Sequence, residues 1–145
     1  MNVIGASCLT SLVSDSTAYD YLELFGLGDA SGQEISFSLA NTNSSYTVTN
    51  EMLTAAFASI ANDGIYQKPT YYTKVLDRQG NILLESVPSQ TRIIKSSSAA
   101  LLTSAMEDVI SSDSSYYYQY GITPTGKLCQ VDSMTLAGKS GTTTS

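Results

Sequence analysis

The sequence predicts an α+β chain that is mainly helical, with one hairpin and a strand near the C-terminus. Three patterns predict it. In the windows 50–62 and 97–111 apolar residues return every three or four positions, the stripe of a half-buried helix. Residues 71–86 hold two short runs of strand-forming side chains around Asp77-Arg78-Gln79-Gly80, which is hairpin patterning. Met134–Thr143 reads as a final strand.

The elements follow in order. Residues 2–13 read as a helix, with Ile4, Cys8 and Leu12 at four-residue spacing and Leu9 and Val13 beside them. Ser14-Asp15-Ser16 breaks it, and Ser16 is expected to cap a helix over 17–25 that Gly26 and Gly28 end. Residues 29–48 are polar and irregular, with one extended segment near Ile35–Leu39. Thr49 is the expected N-cap of helix 50–62, and Glu51 places a negative charge in its first turn. Met52, Leu53, Ala56, Phe57 and Ile60 form its apolar stripe, while Ala55, Ala58 and Ala61 predict close packing. Asn62-Asp63-Gly64 stops it. Tyr72–Leu76 and Ile82–Glu85 are the hairpin strands, with Gly80 where a positive φ is needed. Helix 97–111 has caps available at Ser96–Ser98 and an expected buried stripe of Leu102, Ala105, Met106, Val109 and Ile110. Residues 112–133 are a long connection containing Tyr116-Tyr117-Tyr118; connections of that length are usually functional or mobile.

Composition excludes several functions. The chain has 145 residues and no histidine, so Ser-His-Asp and Cys-His catalysis and imidazole metal sites are excluded within it. Net charge is −6 with only seven Lys and Arg, too few for a basic stripe, which argues against nucleic-acid binding. A compact chain of 15.4 kDa exposes ~7,200 Å² against ~22,000 Å² unfolded, so a real core is attainable. Mean hydropathy is −0.01, and no apolar run approaches the ~20 residues of a membrane helix. Serine and threonine fill about a quarter of the chain, a mild pointer to an exported protein. The N-terminus has no Lys or Arg ahead of its apolar run, so an export signal is expected outside these residues. Cys8 and Cys129 can form one bridge or stand as two buried thiols; burial is the favoured reading. They do not form C-x-x-C.

Chemistry concentrates in the tail, Leu136-Ala137-Gly138-Lys139-Ser140-Gly141-Thr142-Thr143-Thr144-Ser145. Gly138-Lys139-Ser140 echoes a phosphate-binding loop, but position 133 is Ser133 rather than glycine, and Gly141-Thr142-Thr143-Thr144 is a poor helix start. A Lys-[Ser/Thr]-Gly strand fits better. There a lysine brings a cation to a cleft, the next hydroxyl can bind a carboxylate, and a glycine lets a substrate backbone lie against the strand. Alone, the triplet is weak, and a solvated surface lysine is the plainer reading of Lys139.

The wider context resembles the transpeptidase domain of penicillin-binding proteins, particularly the bifunctional class A type. The tail is similar to the family signature A-G-K-[TS]-G-T-T. Thr47-Val48-Thr49-Asn50-Glu51-Met52, then Ala55-Ala56-Phe57-Ala58-Ser59-Ile60-Ala61-Asn62-Asp63-Gly64-Ile65-Tyr66-Gln67-Lys68-Pro69, resembles its helix and the exit A-N-x-G-x-Y-x-x-P. Lys74-Val75-Leu76-Asp77-Arg78-Gln79-Gly80-Asn81-Ile82 resembles the hairpin that follows, and Leu101–Ile110 the helix before the motif strand. Asn2 resembles the asparagine of the family's Ser-x-Asn motif, whose serine would fall before Met1.

The resemblance implies a piece of the β-lactamase/transpeptidase-like fold. The expected organisation is one partial transpeptidase domain over 1–145. It has a helical part over 1–66, a hairpin region over 67–95, and a helix, long loop and motif strand over 96–145. It implies an enzyme that cross-links peptidoglycan stem peptides ending in D-Ala-D-Ala through an acyl-serine intermediate, and that β-lactams acylate. Lys139 would supply positive potential and support proton transfer. Ser140 and Thr142 would bind the substrate carboxylate, Gly141 would admit the substrate, and Thr143 would complete the binding strand. The Thr142 backbone N–H would form half of the oxyanion hole, and Asn2 would contact the substrate amide. No cofactor and no metal are implied. The parent protein is expected to be extracytoplasmic and membrane-anchored, with the anchor outside this chain.

One departure governs activity. None of the seven basic residues is a lysine with serine three positions before it, so the family's Ser-x-x-Lys nucleophile motif is absent and the chain alone is expected to be inactive. Two smaller departures are Ser140, where threonine is commoner, and Ser112–Tyr120, where a Gly-Thr-Gly-like turn is usual. A β-lactamase or β-lactam sensor of the same fold, and a non-catalytic extracytoplasmic binding or structural module, are the alternatives. An unpaired edge on Met134–Thr143 would offer a strand-mediated homodimer.

Overall fold

The computed structural model describes residues 12–29, 48–111 and 123–141. Nearly all of the predicted helix 2–13, and the segment near Ile35–Leu39, lie outside them. Helix α1 spans Asp15–Leu24. Its cap is Ser14 rather than Ser16: Ser14 Oγ accepts the Thr17 N–H at 3.3 Å. Ser14 has the extended backbone of a cap, whereas Ser16 already lies in the first turn. The helix closes with Gly26 N–H on the Glu23 carbonyl and Leu27 N–H on the Leu22 carbonyl, which satisfies two of its last acceptors.

Helix α2 spans Asn50–Ala61 and starts as predicted, with Thr49 Oγ1 accepting the Met52 N–H at 3.2 Å. It stops where Asp63 (φ 58°) and Gly64 (φ 79°) both turn left-handed. Gly64 is required there: a Cβ would collide with the Ile94 carbonyl and lie 2.8 Å from Ile94 Cγ1. The Gly64 carbonyl accepts the Ile93 N–H at 2.9 Å, joining the end of α2 to the chain that returns thirty residues later.

Four short strands lie between the helices: β1 (Ile65–Gln67), β2 (Lys74–Leu76), β3 (Ile82–Glu85) and β4 (Gln90–Arg92). They form two nested antiparallel pairs, β2–β3 inside β1–β4. The inner pair is the predicted hairpin. Asp77 Oδ1 accepts the Gln79 and Asn81 N–H groups at 2.8 Å, and Gly80 takes φ +88°. The Asn81 side-chain amide, donating to Asp77 Oδ2 at 2.9 Å, and then these backbone bonds hold the Asp77 carboxyl below its ordinary range. The outer pair, registered Ile65↔Arg92, Tyr66↔Thr91 and Gln67↔Gln90, was not expected from the sequence.

Helix α3 spans Ser96–Glu107, shorter than the predicted 97–111 because its last turn tightens. Val109 N–H bonds Met106 and Ile110 N–H bonds Glu107, three residues back. Its N-cap position is Lys95, without a side-chain cap, so the expected serine cap is corrected. Ser96 Oγ donates instead to Asp63 Oδ1. Arg92 completes that clamp, with Nη2 at 3.0 Å from Asp63 Oδ2 and Nη1 donating to the Asp63 carbonyl at 2.6 Å. The Ser96 hydroxyl first, then Arg92, holds the Asp63 carboxyl below the usual carboxylate range. The same bonds stabilise a left-handed residue that aspartate tolerates better than most side chains.

The core lies where α2 packs on β1 and α3. It buries Ala55, Ala56, Ser59, Ile93, Ala99, Met106, Val109 and Ile110. On α2 this corrects the predicted stripe: Leu53 and Phe57 are 44% and 38% exposed, and Ser59 is 1% exposed. Small side chains bring α2 close to its neighbours, and Ser59 loses nothing by burial because its hydroxyl donates to the Ala56 carbonyl at 2.6 Å. Of the stripe predicted for 97–111, Met106 on α3 and Val109 and Ile110 in the turn that follows it are buried, each contributing roughly 1.5–3 kcal/mol.

Two further expectations are corrected. Met134–Thr143 forms no ladder through residue 141; the described part holds only an isolated Val131↔Met134 bridge. The Gly138 N–H goes to a helix carbonyl rather than to a neighbouring strand. Cys129 is a free and exposed thiol, because the 3₁₀ turn Lys127–Cys129 buries none of its residues.

Candidate active site

The site grows from the C-terminal end of α3. A helix end leaves carbonyls without intrahelical donors. Two segments distant in sequence add donors here, one of them to the Met106 carbonyl that already accepts the Val109 N–H. Gly126 N–H bonds the Val109 carbonyl at 2.9 Å, and Gly138 N–H bonds the Met106 carbonyl at 3.0 Å. Glycine leaves the room for both contacts. A Cβ on Gly126 would lie 3.0 Å from the Val109 oxygen, and one on Gly138 would lie 2.8 Å from Ile110 Cδ1. Ile110, which a Cβ on either glycine would touch, is buried, and so is Pro124.

These anchors set Thr125 beside the tail. Thr125 Oγ1 donates to Ser140 Oγ at 3.1 Å. Lys139 is half-buried, and its Nζ donates to the Ser140 carbonyl. Among the described residues no carboxylate lies within ion-pair distance of Lys139, so its charge is not neutralised by one of them. Gly141 is open: a Cβ there would meet nothing within 4 Å, so no contact among the described residues demands a glycine.

The structure therefore brings together Lys139, Ser140 and Gly141 of the predicted site. Asn2, Thr142 and Thr143 lie outside the described residues. Sequence reasoning missed Thr125 and Gly126. The signal available is a Thr-Gly pair inside the long 112–133 connection, beyond the Ser112–Tyr120 stretch where the resemblance places a Gly-Thr-Gly-like turn. A groove of about 650 Å³ lies elsewhere, between α2 and the β1–β4 pair, lined by Glu51, Asn62, Gln67, Lys68 and Gln90 among others. It contains none of the tail residues and no histidine or cysteine. Among the described residues no cluster of His, Cys, Asp or Glu could hold a metal ion.

A lysine, a hydroxyl and an open glycine follow one another here, seated on a helix end within an α+β framework. The chain matches the family described as the penicillin binding protein transpeptidase domain over residues 2–145, and it belongs to that family. Penicillin-binding protein 1A of Clostridium acetobutylicum is 30% identical over 130 residues, covering 88% of this chain and 14% of that protein. Penicillin-binding protein 1A of Streptococcus oralis is 32% identical over 108 residues, covering 74% of this chain and 15% of that protein. The chain thus spans about one seventh of the length of these relatives. A crystal structure of penicillin-binding protein 3 from Mycobacterium tuberculosis, complexed with aztreonam, superposes with a TM-score of 0.62 at 21% identity. The match covers 90% of this chain and 32% of that one and shows the shared fold.

Proposed function

We propose that this chain is part of a D,D-transpeptidase domain that cross-links peptidoglycan stem peptides through an acyl-serine intermediate. In this reading 1–145 is one partial domain, and the nucleophilic serine with its lysine partner lies outside these residues. The observation that carries it is the seated Lys139-Ser140-Gly141 segment, with its cation unpaired by any described carboxylate and open space beside the glycine.

Lys139 raises the local positive potential, which favours an anionic substrate terminus and supports proton transfer at the nucleophile. The Ser140 hydroxyl donates to the substrate carboxylate, joined by Thr142. The Thr142 backbone N–H would supply one donor to the oxyanion, worth about 3–4 kcal/mol in comparable sites, and Thr143 continues the binding segment. Gly141 leaves room for the substrate backbone. Asn2 would reach the substrate amide. The solved relatives were complexed with aztreonam and ampicillin, which supports β-lactams as ligands of this site too. The parent protein would act outside the cytoplasmic membrane, where its substrate is, tethered by a segment other than the described ones. Among the described residues no helix is long and apolar enough to cross a membrane.

The test is covalent labelling with a fluorescent penicillin. The full-length product of the source gene should be labelled, and Lys139→Ala should abolish most of the label. The 145-residue chain should remain unlabelled. A labelled isolated chain, or an unlabelled full-length protein, overturns the reading; the latter outcome favours a non-catalytic binding module.

A further inference from the structure

We propose that Thr125 is a positioning residue that sets the proton direction of Ser140, and through it selects ligands bearing a free carboxylate. The proposal rests on the transpeptidase reading of the tail and deepens it.

The geometry carries it. A serine hydroxyl has one proton and two acceptor lone pairs. Thr125 donates into one of those lone pairs, at 3.1 Å. The Ser140 proton cannot lie on that axis as well, so it turns away from Thr125 and is left to donate. A carboxylate is an acceptor only, so a Ser140 committed as donor matches it and mismatches a ligand group that must itself donate. A hydroxyl that already accepts a bond is also the stronger donor, because successive hydrogen bonds polarise one another.

The arrangement is built rather than incidental. Thr125 is exposed and could reach solvent from many rotamers, yet its backbone is fixed on both sides. Lys127 N–H bonds the Pro124 carbonyl at 3.3 Å, and Gly126 N–H bonds the carbonyl of Val109. Ser140 is held from the other direction by Gly138 on Met106, one helical turn earlier on the same helix end. The end of α3 thus aligns two hydroxyls from segments fifteen residues apart.

The test uses the full-length protein and two probes, benzylpenicillin and its methyl ester, which differ in the free carboxylate. The readout is the second-order acylation rate constant. Thr125→Val keeps the shape of the side chain and removes the donor. It should slow acylation by benzylpenicillin about tenfold, equivalent to about 1.4 kcal/mol, and leave the slower ester reaction within twofold. Thr125→Ser restores the hydroxyl and should recover most of the benzylpenicillin rate, with all three melting temperatures close together. Equal slowing of acid and ester would show a merely structural role and overturn the proposal, as would an unchanged benzylpenicillin rate in Thr125→Val. Failure of Thr125→Ser to recover the rate would also count against it. If the wild-type protein reacts with neither probe, the transpeptidase reading fails first, and the role of Thr125 falls with it.

Discussion

Replacing Gly64 by alanine tests the joint between α2 and the returning chain. Two costs add. At φ 79° a Cβ meets the steric penalty of the left-handed region, about 1–2 kcal/mol. The new methyl group would also collide with the Ile94 carbonyl, a backbone atom that cannot rotate aside, and would lie 2.8 Å from Ile94 Cγ1. Overpacking of that kind costs about 1–3 kcal/mol. Alanine stiffens the unfolded chain and returns about 0.4–1 kcal/mol. The expected net loss is therefore about 2–4 kcal/mol. Relief of the clash would require displacing Ile94, and with it the Ile93 and Ile94 N–H bonds to the Gly64 carbonyl. Urea unfolding followed by far-ultraviolet circular dichroism measures the difference, with the m-value as a check that the unfolded state is unchanged. A loss under about 1 kcal/mol would refute the argument, since it would mean that the joint relaxes without strain.

Two further outcomes are expected. The depressed Asp63 pKa makes its contribution to stability present above the unfolded value of 3.8 and lost as pH falls through the lower folded value. Acid unfolding of Arg92→Ala or Ser96→Ala should show a weaker dependence on pH in that window; a profile identical to wild type would remove the clamp from the account. In the site, Gly138→Ala pushes a methyl group against Ile110 Cδ1, so Ile110 must give way by about 0.6 Å to reach ordinary contact. Ile110→Val removes that atom, so the double variant should be more stable than the sum of the single losses by about 0.5–1 kcal/mol. Strict additivity in a double-mutant cycle would show that the two groups do not touch.

What the sequence revealed was local. Thr49 as cap, Glu51 in the first turn and the Asp77–Gly80 hairpin tip are decided by neighbours within four residues, and each appears where it was expected. The β1–β4 pair was not legible, because strands of three residues carry no period and Gln67 meets Gln90 only across an intervening hairpin. The buried face of α2 was misread for a related reason. Hydrophobicity favours Leu53 and Phe57, but distance of approach left these two exposed and buried Ser59, while Ala56 of the expected stripe and Ala55 of the expected close packing are buried. In the site, Lys139-Ser140-Gly141 was legible as a contiguous motif. Thr125 was not, since only the end of α3 makes it a neighbour of Ser140.

The nesting of the two strand pairs separates what the helices need from what lies beyond them. β1 and β4 close a neck between α2 and α3, and everything from Lys68 to Ser89 leaves and returns through it. Length added to such an excursion costs little, about 0.6 kcal/mol for a doubling. The hairpin is therefore free to diverge in sequence and length while the helix pair and the tail seated on α3 stay in register. It also carries exposed Val75, Leu76, Ile82, Leu83 and Leu84. In the language of modular design, the neck is a splice point: a part of the molecule that varies cheaply also displays a run of aliphatic side chains.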